Sequence, residues 1–321
     1  MKVSVITPNF NGVNFLKNYF DSLEKEKNHI HEIIIIDNGS TDDSVDFINK
    51  IANNSELNIK IIENNQNMGF SKAINQGIKL STSGFVFLLN NDVEVEKETI
   101  SNLIKLMNSK KDAFSISSKM IQYNNRDLID DAGDEYNILA YTKKSGNGTS
   151  VNNYTENREI FSSCAGAALY KKSVFDKIGL FDENFFAYVE DIDIGYRAQI
   201  FGFKNYYAAN SIVYHIGSAT SGTKYNEFKI KIAARNNVWL IYKNFPIPQK
   251  ILNIGFLAIG FLTKYLFFYK KGYGSIYLEG LKEGLNSRDK IQKVKFHKSN
   301  LKNYFKIEWK LLKNTLTMIK K

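Results

Sequence analysis

The chain has 321 residues, 43% of them hydrophobic and 24% charged, an ordinary globular composition that allows one large α/β domain plus an appendage. Its single cysteine, Cys164, excludes an internal disulfide, and the opening Met1-Lys2-Val3-Ser4 run reaches Asn9 and Asn11 too soon for a signal peptide, so the cytoplasm is the default expectation. The formal charge of +10 is not evenly spread: from Lys243 onward 17 Lys and Arg face only 4 Asp and Glu, and the rest is slightly acidic.

Val3 to Ile6 reads as a buried strand broken by Pro8-Asn9-Phe10-Asn11-Gly12, and apolar residues at helical spacing predict a helix from Phe15 to Lys27. The continuous Ile33-Ile34-Ile35-Ile36 fits a parallel strand covered on both faces; it ends at Asp37-Asn38-Gly39-Ser40 and is followed by a helix from Asp43 to Ile51. Ile59 to Ile62 and Phe85 to Leu89 are further strands, with a helix from Phe70 to Leu80 between them. This alternation predicts a doubly wound, mostly parallel sheet, in which ligands bind beyond the carboxyl ends of the strands. The polar clusters fall at those ends. Residues 121 to 160 lack clear periodicity and read as a long insertion or acceptor-side loop. Order returns at Ala165 to Tyr170, then a helix from Val189 to Phe201 and two short strands near Asn205 to Ala208 and Ile212 to His215.

No Gly-x-Gly-x-x-Gly follows the first strand and no Gly-Lys-Ser/Thr loop is present, which argues against a common dehydrogenase or a P-loop nucleotidase. Asn, Asp, Gly and Ser at the strand ends can read a base and ribose, leaving a diphosphate to a metal. The strand Phe85 to Leu89 delivers Asn90-Asn91-Asp92 to the crevice, where Asp92 is either an oxygen ligand for Mg²⁺ or Mn²⁺ or a helix cap. Glu190, Asp191 and Asp193 open a helix, where the dipole alone would favour them. Positions 191 and 193 point about 200° apart, so one of them faces a given site; Asp191 is the choice, with Glu190 beside it and Asp193 structural. His215 is a structural histidine or completes a metal site near Asp92. Arg235, next to Asn236, holds a diphosphate or a surface ion pair.

Several runs together resemble family 2 glycosyltransferases: Val3 through Gly12, Ile36-Asp37-Asn38-Gly39-Ser40-Thr41-Asp42, Asn67-Met68-Gly69-Phe70-Ser71 with Asn75-Gln76-Gly77, and Leu88 through Asp92. Gly166 through Tyr170, Gly179 through Glu183, Glu190 through Asp193, and His215 followed by Arg235-Asn236 are similar to the rhamnosyltransferase-like branch; the likeness covers about residues 3 to 240. The resemblance implies a GT-A fold and an inverting transfer of a sugar from a nucleotide diphosphate, of the dTDP-rhamnose or UDP-hexose class, to a glycan hydroxyl. It implies that Thr7, Pro8 and Asn9 line the nucleotide pocket, that Asp37 reads the base or ribose, and that Asn67 and Gly69 border the same pocket. Asn90, Asn91 and Arg235 join the donor side, Asp92 holds a divalent cation with His215, and Asp191 is the base. Many members carry Asp-x-Asp at the metal position; here Asn90 stands first, and Asn91 replaces the Pro that often follows it in that branch. The expected division is a catalytic domain at 1–242, split near 120 into nucleotide and acceptor halves, and a segment at 243–321. A catalytically inactive sugar-nucleotide-binding assembly partner is the alternative.

The uncharged run Ile251 to Thr263, continued by Tyr265 to Tyr269, falls short of the roughly 20 apolar residues of a spanning helix. With the basic helix expected from Lys290 to Lys321, it reads as a segment lying in an anionic membrane interface, with packing on the catalytic domain or a second subunit, and a true crossing, as the other readings. A lipid-linked acceptor in bacterial surface-polysaccharide assembly would suit that placement. Nucleic acid is not an expected partner, and homo-oligomerisation is left open.

Overall fold

The computed structural model describes residues 1–217 and 225–319. Ser218, just after His215, and the last two lysines of the expected basic helix lie outside them. The first half alternates as expected: β1 (Val3–Asn9), α1 (Val13–Glu24), β2 (Ile30–Asp37), α2 (Ser44–Asn54), β3 (Ile59–Glu63), α3 (Phe70–Leu80) and β4 (Phe85–Leu89). A short β5 (Val93–Val95), α4 (Thr99–Ser109) and β6 (Ala113–Gln122) follow. The segment read as a long insertion or acceptor-side loop contains four three-residue strands, β7 (Ile129–Asp131), β8 (Asp134–Tyr136), β9 (Thr142–Lys144) and β10 (Arg158–Ile160). Runs this short carry too few residues to show a period, which is why the sequence hides them. Next come β11 (Ala167–Lys171), α5 (Lys172–Ile178), α6 (Glu190–Ile200) and β12 (Lys204–His215), then α7 (Glu227–Asn244), α8 (Ile247–Lys270), α9 (Gly274–Asn286) and α10 (Leu301–Ile319).

The main sheet runs β10-β12-β6-β11-β4-β1-β2-β3. The β1, β2, β3 and β4 pairings are parallel, whereas β11 runs antiparallel to both β4 and β6. The sheet is therefore mixed. Ile33 and Ile35 pack into one apolar layer and Ile34 and Ile36 into the other, as a doubly covered strand requires. The two short strands expected near 205 and 212 are one strand, β12, whose pairing with β6 shifts register between Ala208 and Ile212. That bulge conceals the continuity from a periodicity reading. The basic helix is likewise shorter than expected, beginning at Leu301.

The C-terminal helices are built into the body. Trp239 and Leu240 of α7 and Tyr304, Ile307 and Leu311 of α10 share one buried cluster with Tyr136, Phe161, Ile192 and Tyr196. An ionic knot lies alongside: the fully buried Asp193 receives Arg197 at 2.8 Å, Lys243 at 3.1 Å and the Asn244 amide at 2.8 Å. Burial works against the Asp193 carboxylate, but the two cations outweigh it and hold its pKa below the ordinary value. Asp193→Ala leaves Arg197 and Lys243 buried without their shared counter-charge, and should cost about 3–5 kcal/mol in urea unfolding. A loss under about 1 kcal/mol would show that the knot contributes little.

Candidate active site

At the carboxyl ends of the parallel strands, β1 and β2 finish in register, with Asn9 opposite Asp37. Asn9 donates to Asp37 Oδ1 at 2.8 Å and its own Oδ1 accepts from Asn91 at 2.6 Å, so three strand ends are tied through one amide. Asp37 also accepts from the Gly39 and Ser40 backbone N–H groups at 3.2 and 2.9 Å, and from Ser40 Oγ at 2.6 Å. Gly12 closes this knot: a Cβ there would lie 2.0 Å from Asn91 Nδ2. Pro8 is half-buried beside it. Thr7 is not part of the lining by its side chain; it is fully buried, with its hydroxyl 2.5 Å from Tyr19 Oη. Asn67 accepts from the Gly69 N–H at 2.9 Å, and Gly69, at φ +84°, adopts the left-handed backbone that favours glycine.

Across the crevice, β4 ends in Asn90-Asn91-Asp92, and the three residues of β5 then pair with the end of β12, setting His215 opposite Val93. Ile216 N donates to the Asp92 carbonyl at 3.1 Å, continuing that pairing. It brings His215 Nε2 to 3.5 Å from the buried Asp92 carboxylate, while Nδ1 meets Asp130 at 2.8 Å. Burial disfavours the imidazolium, but Asp130 and Asp92 outweigh it and lift His215 to about 9. Asp130 also receives Lys144 at 3.0 Å, and burial is overcome by His215 and Lys144, leaving Asp130 well below the usual carboxylate range.

The third wall is the start of α6. Asp191 Oδ1 accepts from the Ala165 N–H at 3.2 Å, and the neighbouring Gly166 carbonyl accepts from Asn90 N at 3.0 Å. One short loop therefore holds both carboxylate-bearing segments. Burial raises Asp191 well above the ordinary value, with Glu190 adding repulsion, and burial lifts Glu190 to about 7. Asp131, Asp134 and Cys164 each bring a ligand atom within 4.8 Å of the others, and Asp131 and Asp134 add their fields to that of Asp191 and Glu190 respectively. Asp130, Asp131, Asp134 and Lys144 were not foreseen. Their only signal was the carboxylate-rich Asp130-Asp131-Ala132-Gly133-Asp134 within an otherwise polar stretch.

The loop before α6 carries Phe186, Tyr188 and Val189 at φ 63°, 66° and 72°. Such a backbone is costly for a β-branched residue and persists only when its surroundings impose it. Asn236 does so: its amide donates to the carbonyls of Phe185, Ala187 and Tyr188 at 2.7–2.8 Å. A Cβ on Gly69 would lie 2.5 Å from the Phe186 ring, so this loop also presses on the start of α3. Arg235 is engaged within the protein, by Glu283 at 3.0 Å, Asn236 at 3.0 Å and the Trp239 ring at 4.3 Å. Its ion-pair reading therefore has a partner in α9.

The donor set suits a divalent cation. A buried carboxylate oxygen and an imidazole nitrogen 3.5 Å apart are too distant for a strong hydrogen bond, yet close enough to serve one ion. Asn90 Oδ1 and Glu190 Oε2 nearby are buried without a hydrogen-bond partner among the described residues, as expected of groups that serve a ligand.

Residues 4–179 match the family model "Glycosyl transferase family 2". The O-antigen chain rhamnosyltransferase RfbN of Salmonella typhimurium is 21% identical over 71% of this chain and 70% of its own length. Among solved structures, GalNAc-T7 with UDP, GalNAc and Mn²⁺ superposes with a TM-score of 0.62 at 18% identity, over 75% of this chain. This chain spans 47% of that one. Staphylococcus aureus TarS 1–349 with UDP-GlcNAc gives 0.58 at 20% identity, over 89% of this chain and 79% of that one.

The His215 geometry yields a pH prediction. Its folded pKa, about 9, lies above the unfolded value of roughly 6.5, so its stabilisation is complete below about pH 6.5 and is lost as pH rises through 9. In chelator, urea unfolding of the native chain should lose about 3 kcal/mol more than His215→Gln between pH 6 and 10. Parallel pH curves for the two proteins would refute the pairing.

Proposed function

The chain belongs to glycosyl transferase family 2 and is a glycosyltransferase of GT-A fold, and from that premise we propose that it inverts at the anomeric carbon of a nucleotide-diphosphate sugar, with Asp191 as general base. The donor is a dTDP-rhamnose or UDP-hexose type sugar nucleotide; the likeness to RfbN and TarS supports that class. Asn9, Asp37, Asn67 and Gly69 frame the nucleotide pocket, with Pro8, Asn90 and Asn91 at its edge. Asp92 and His215 would hold Mg²⁺ or Mn²⁺, which when bound supplies positive charge to the departing diphosphate. Asp130 fixes the His215 tautomer from behind, as carboxylates commonly do for metal-binding histidines.

Asp191 takes the proton from the acceptor hydroxyl as its oxygen forms the new bond to the anomeric carbon and the diphosphate leaves with the old bond's electron pair. The observation that carries this reading is the Ala165-Gly166 loop, which ties the base to Asn90, two residues from Asp92. Burial makes Asp191 more basic than an exposed carboxylate, and Glu190 at its side raises it further. Asp191→Asn should preserve Mn²⁺-dependent donor binding by calorimetry and lower turnover by about 10²-fold or more. Turnover within about threefold of the native chain would remove the base assignment.

The acceptor we assign is a lipid-linked glycan at the inner face of a cell membrane, in surface-polysaccharide assembly. What supports it is the polarity of α8, a 24-residue helix that is long and apolar enough to cross a membrane. Its protein-facing stripe packs Leu257 into the core and carries polar tethers: Gln249 and Asn253 donate to Glu308 at 2.7 and 3.0 Å, and Lys264 donates to the Ala140 carbonyl at 2.6 Å. Its outer face is apolar, with Ile251, Ile254 and Leu262 between 56% and 69% exposed. A helix tethered along one side and greasy on the other suits the membrane surface better than a crossing. Lys270, Lys271 and the basic residues of α10 add attraction to anionic lipid.

Because α10 and α7 share the body's core, the test keeps the whole chain. The triple substitution Ile251→Gln, Ile254→Gln, Leu262→Gln should cut flotation with anionic vesicles by about tenfold and leave the unfolding midpoint unchanged. Equal flotation of both proteins would defeat the surface assignment.

A further inference from the structure

A cavity of about 510 Å³ lies between the β8–β9 hairpin, β10 and α10, away from the catalytic carboxylates. Its size falls in the range of small-ligand sites. Most charges on its walls are spoken for: Arg158 meets Glu135 at 3.0 Å, and Lys310 meets Glu159. Two are not. The side chains of Lys143, half-buried, and Lys313, exposed, have no hydrogen bond or ion pair among the described residues, and Arg158 Nε is a buried donor without a partner. The cavity thus carries uncancelled positive charge and unspent N–H groups, the chemistry of an oxyanion seat.

Two connections link it to the proposed reaction. Strand β8 carries Asp134 beside Asp131 and Cys164, in the field of Glu190, and its next residue, Glu135, lines the cavity. Adjacent strand residues point to opposite faces, so one short strand separates the reaction centre from the cavity. Tyr141, on the cavity wall, places its hydroxyl 2.9 Å from Thr263 of α8, the helix whose outer face is apolar.

We propose that this cavity seats the diphosphate of the acceptor, the group joining its sugar to a lipid carrier, with Lys143 and Lys313 as its cationic contacts and Arg158 Nε as a donor. The inference rests on the lipid-linked acceptor reading above and narrows it to a phosphate-bearing substrate. It also accounts for a basic wall set between the reaction centre and the lipid-facing helix, where such a bridge would lie.

The test uses the full chain and inorganic pyrophosphate as probe, by calorimetry in chelator so that a metal-assisted donor site does not contribute. The native chain should bind, Lys143→Gln/Lys313→Gln should bind about tenfold or more weakly, and Lys143→Arg/Lys313→Arg should stay within about threefold of native, since it keeps both charges. Equal binding by native and Gln proteins, or none by either, overturns the proposal. A second arm compares neutral phosphatidylcholine vesicles with and without a polyprenyl diphosphate. Lysine-dependent retention only on the doped vesicles supports a lipid-borne source, whereas pyrophosphate binding without such retention overturns the acceptor assignment and leaves a seat for free phosphate. Neither arm requires sugar transfer, so loss of the proposed general-base role would show separately, as turnover unaffected by Asp191→Asn with lysine-dependent binding intact.

Discussion

Three residues of β5 hold the candidate site together. Their antiparallel pairing with the end of β12 sets His215 opposite Val93 and so against Asp92, residues more than 120 positions apart in the chain. Without that ladder, the end of β4 and the end of β12 would be two unrelated polar loops. The pairing turns them into one wall of a crevice, with Asp130 behind the imidazole. The other wall, the start of α6, is fixed to the same place by the two peptide groups of the Ala165-Gly166 loop. Backbone groups on β5, β12 and the Ala165-Gly166 loop thus set both walls of the crevice.

The sequence revealed elements in proportion to their length and regularity. The isoleucine run of β2, the helix α3 and the strand β4 were legible because burial on both faces, or on one stripe, writes a period into the residues. The three-residue strands β5, β7, β8, β9 and β10 write none, and they carry or position Asp130, Asp131, Asp134 and Lys144. Asp193 was legible as structural because helical geometry turns it away from Asp191, and its partners Arg197, Lys243 and Asn244 bear that out. Thr7 was harder: a residue before a strand-ending Pro can face ligand or core, and only the tertiary partner Tyr19 decides.

Charge follows the same division between what local pattern shows and what packing decides. The acidic side of the molecule gathers carboxylates under burial, so that Asp131, Asp134, Glu190 and Asp191 are all pushed upward in pKa. A net count of charges along the chain could not show this, because it arises from neighbours brought together by short strands. The basic C-terminal quarter was plain from composition, but its partition was not: some cations close the body, as Lys243 and Lys310 do, and others stand free.

The Asn236 amide fastens the carbonyls of Phe185, Ala187 and Tyr188, and their chain neighbours sit against both ends of the crevice, Phe186 upon Gly69 and Val189 at the head of α6. In the proposed reaction, donor binding on one side and proton removal on the other would share that clasp. A lineage that altered its donor by reshaping the ground under Phe186 would shift its base in the same stroke, so descendants of this chain are expected to diversify first at the far, lysine-lined side, where no such clasp binds the two tasks together.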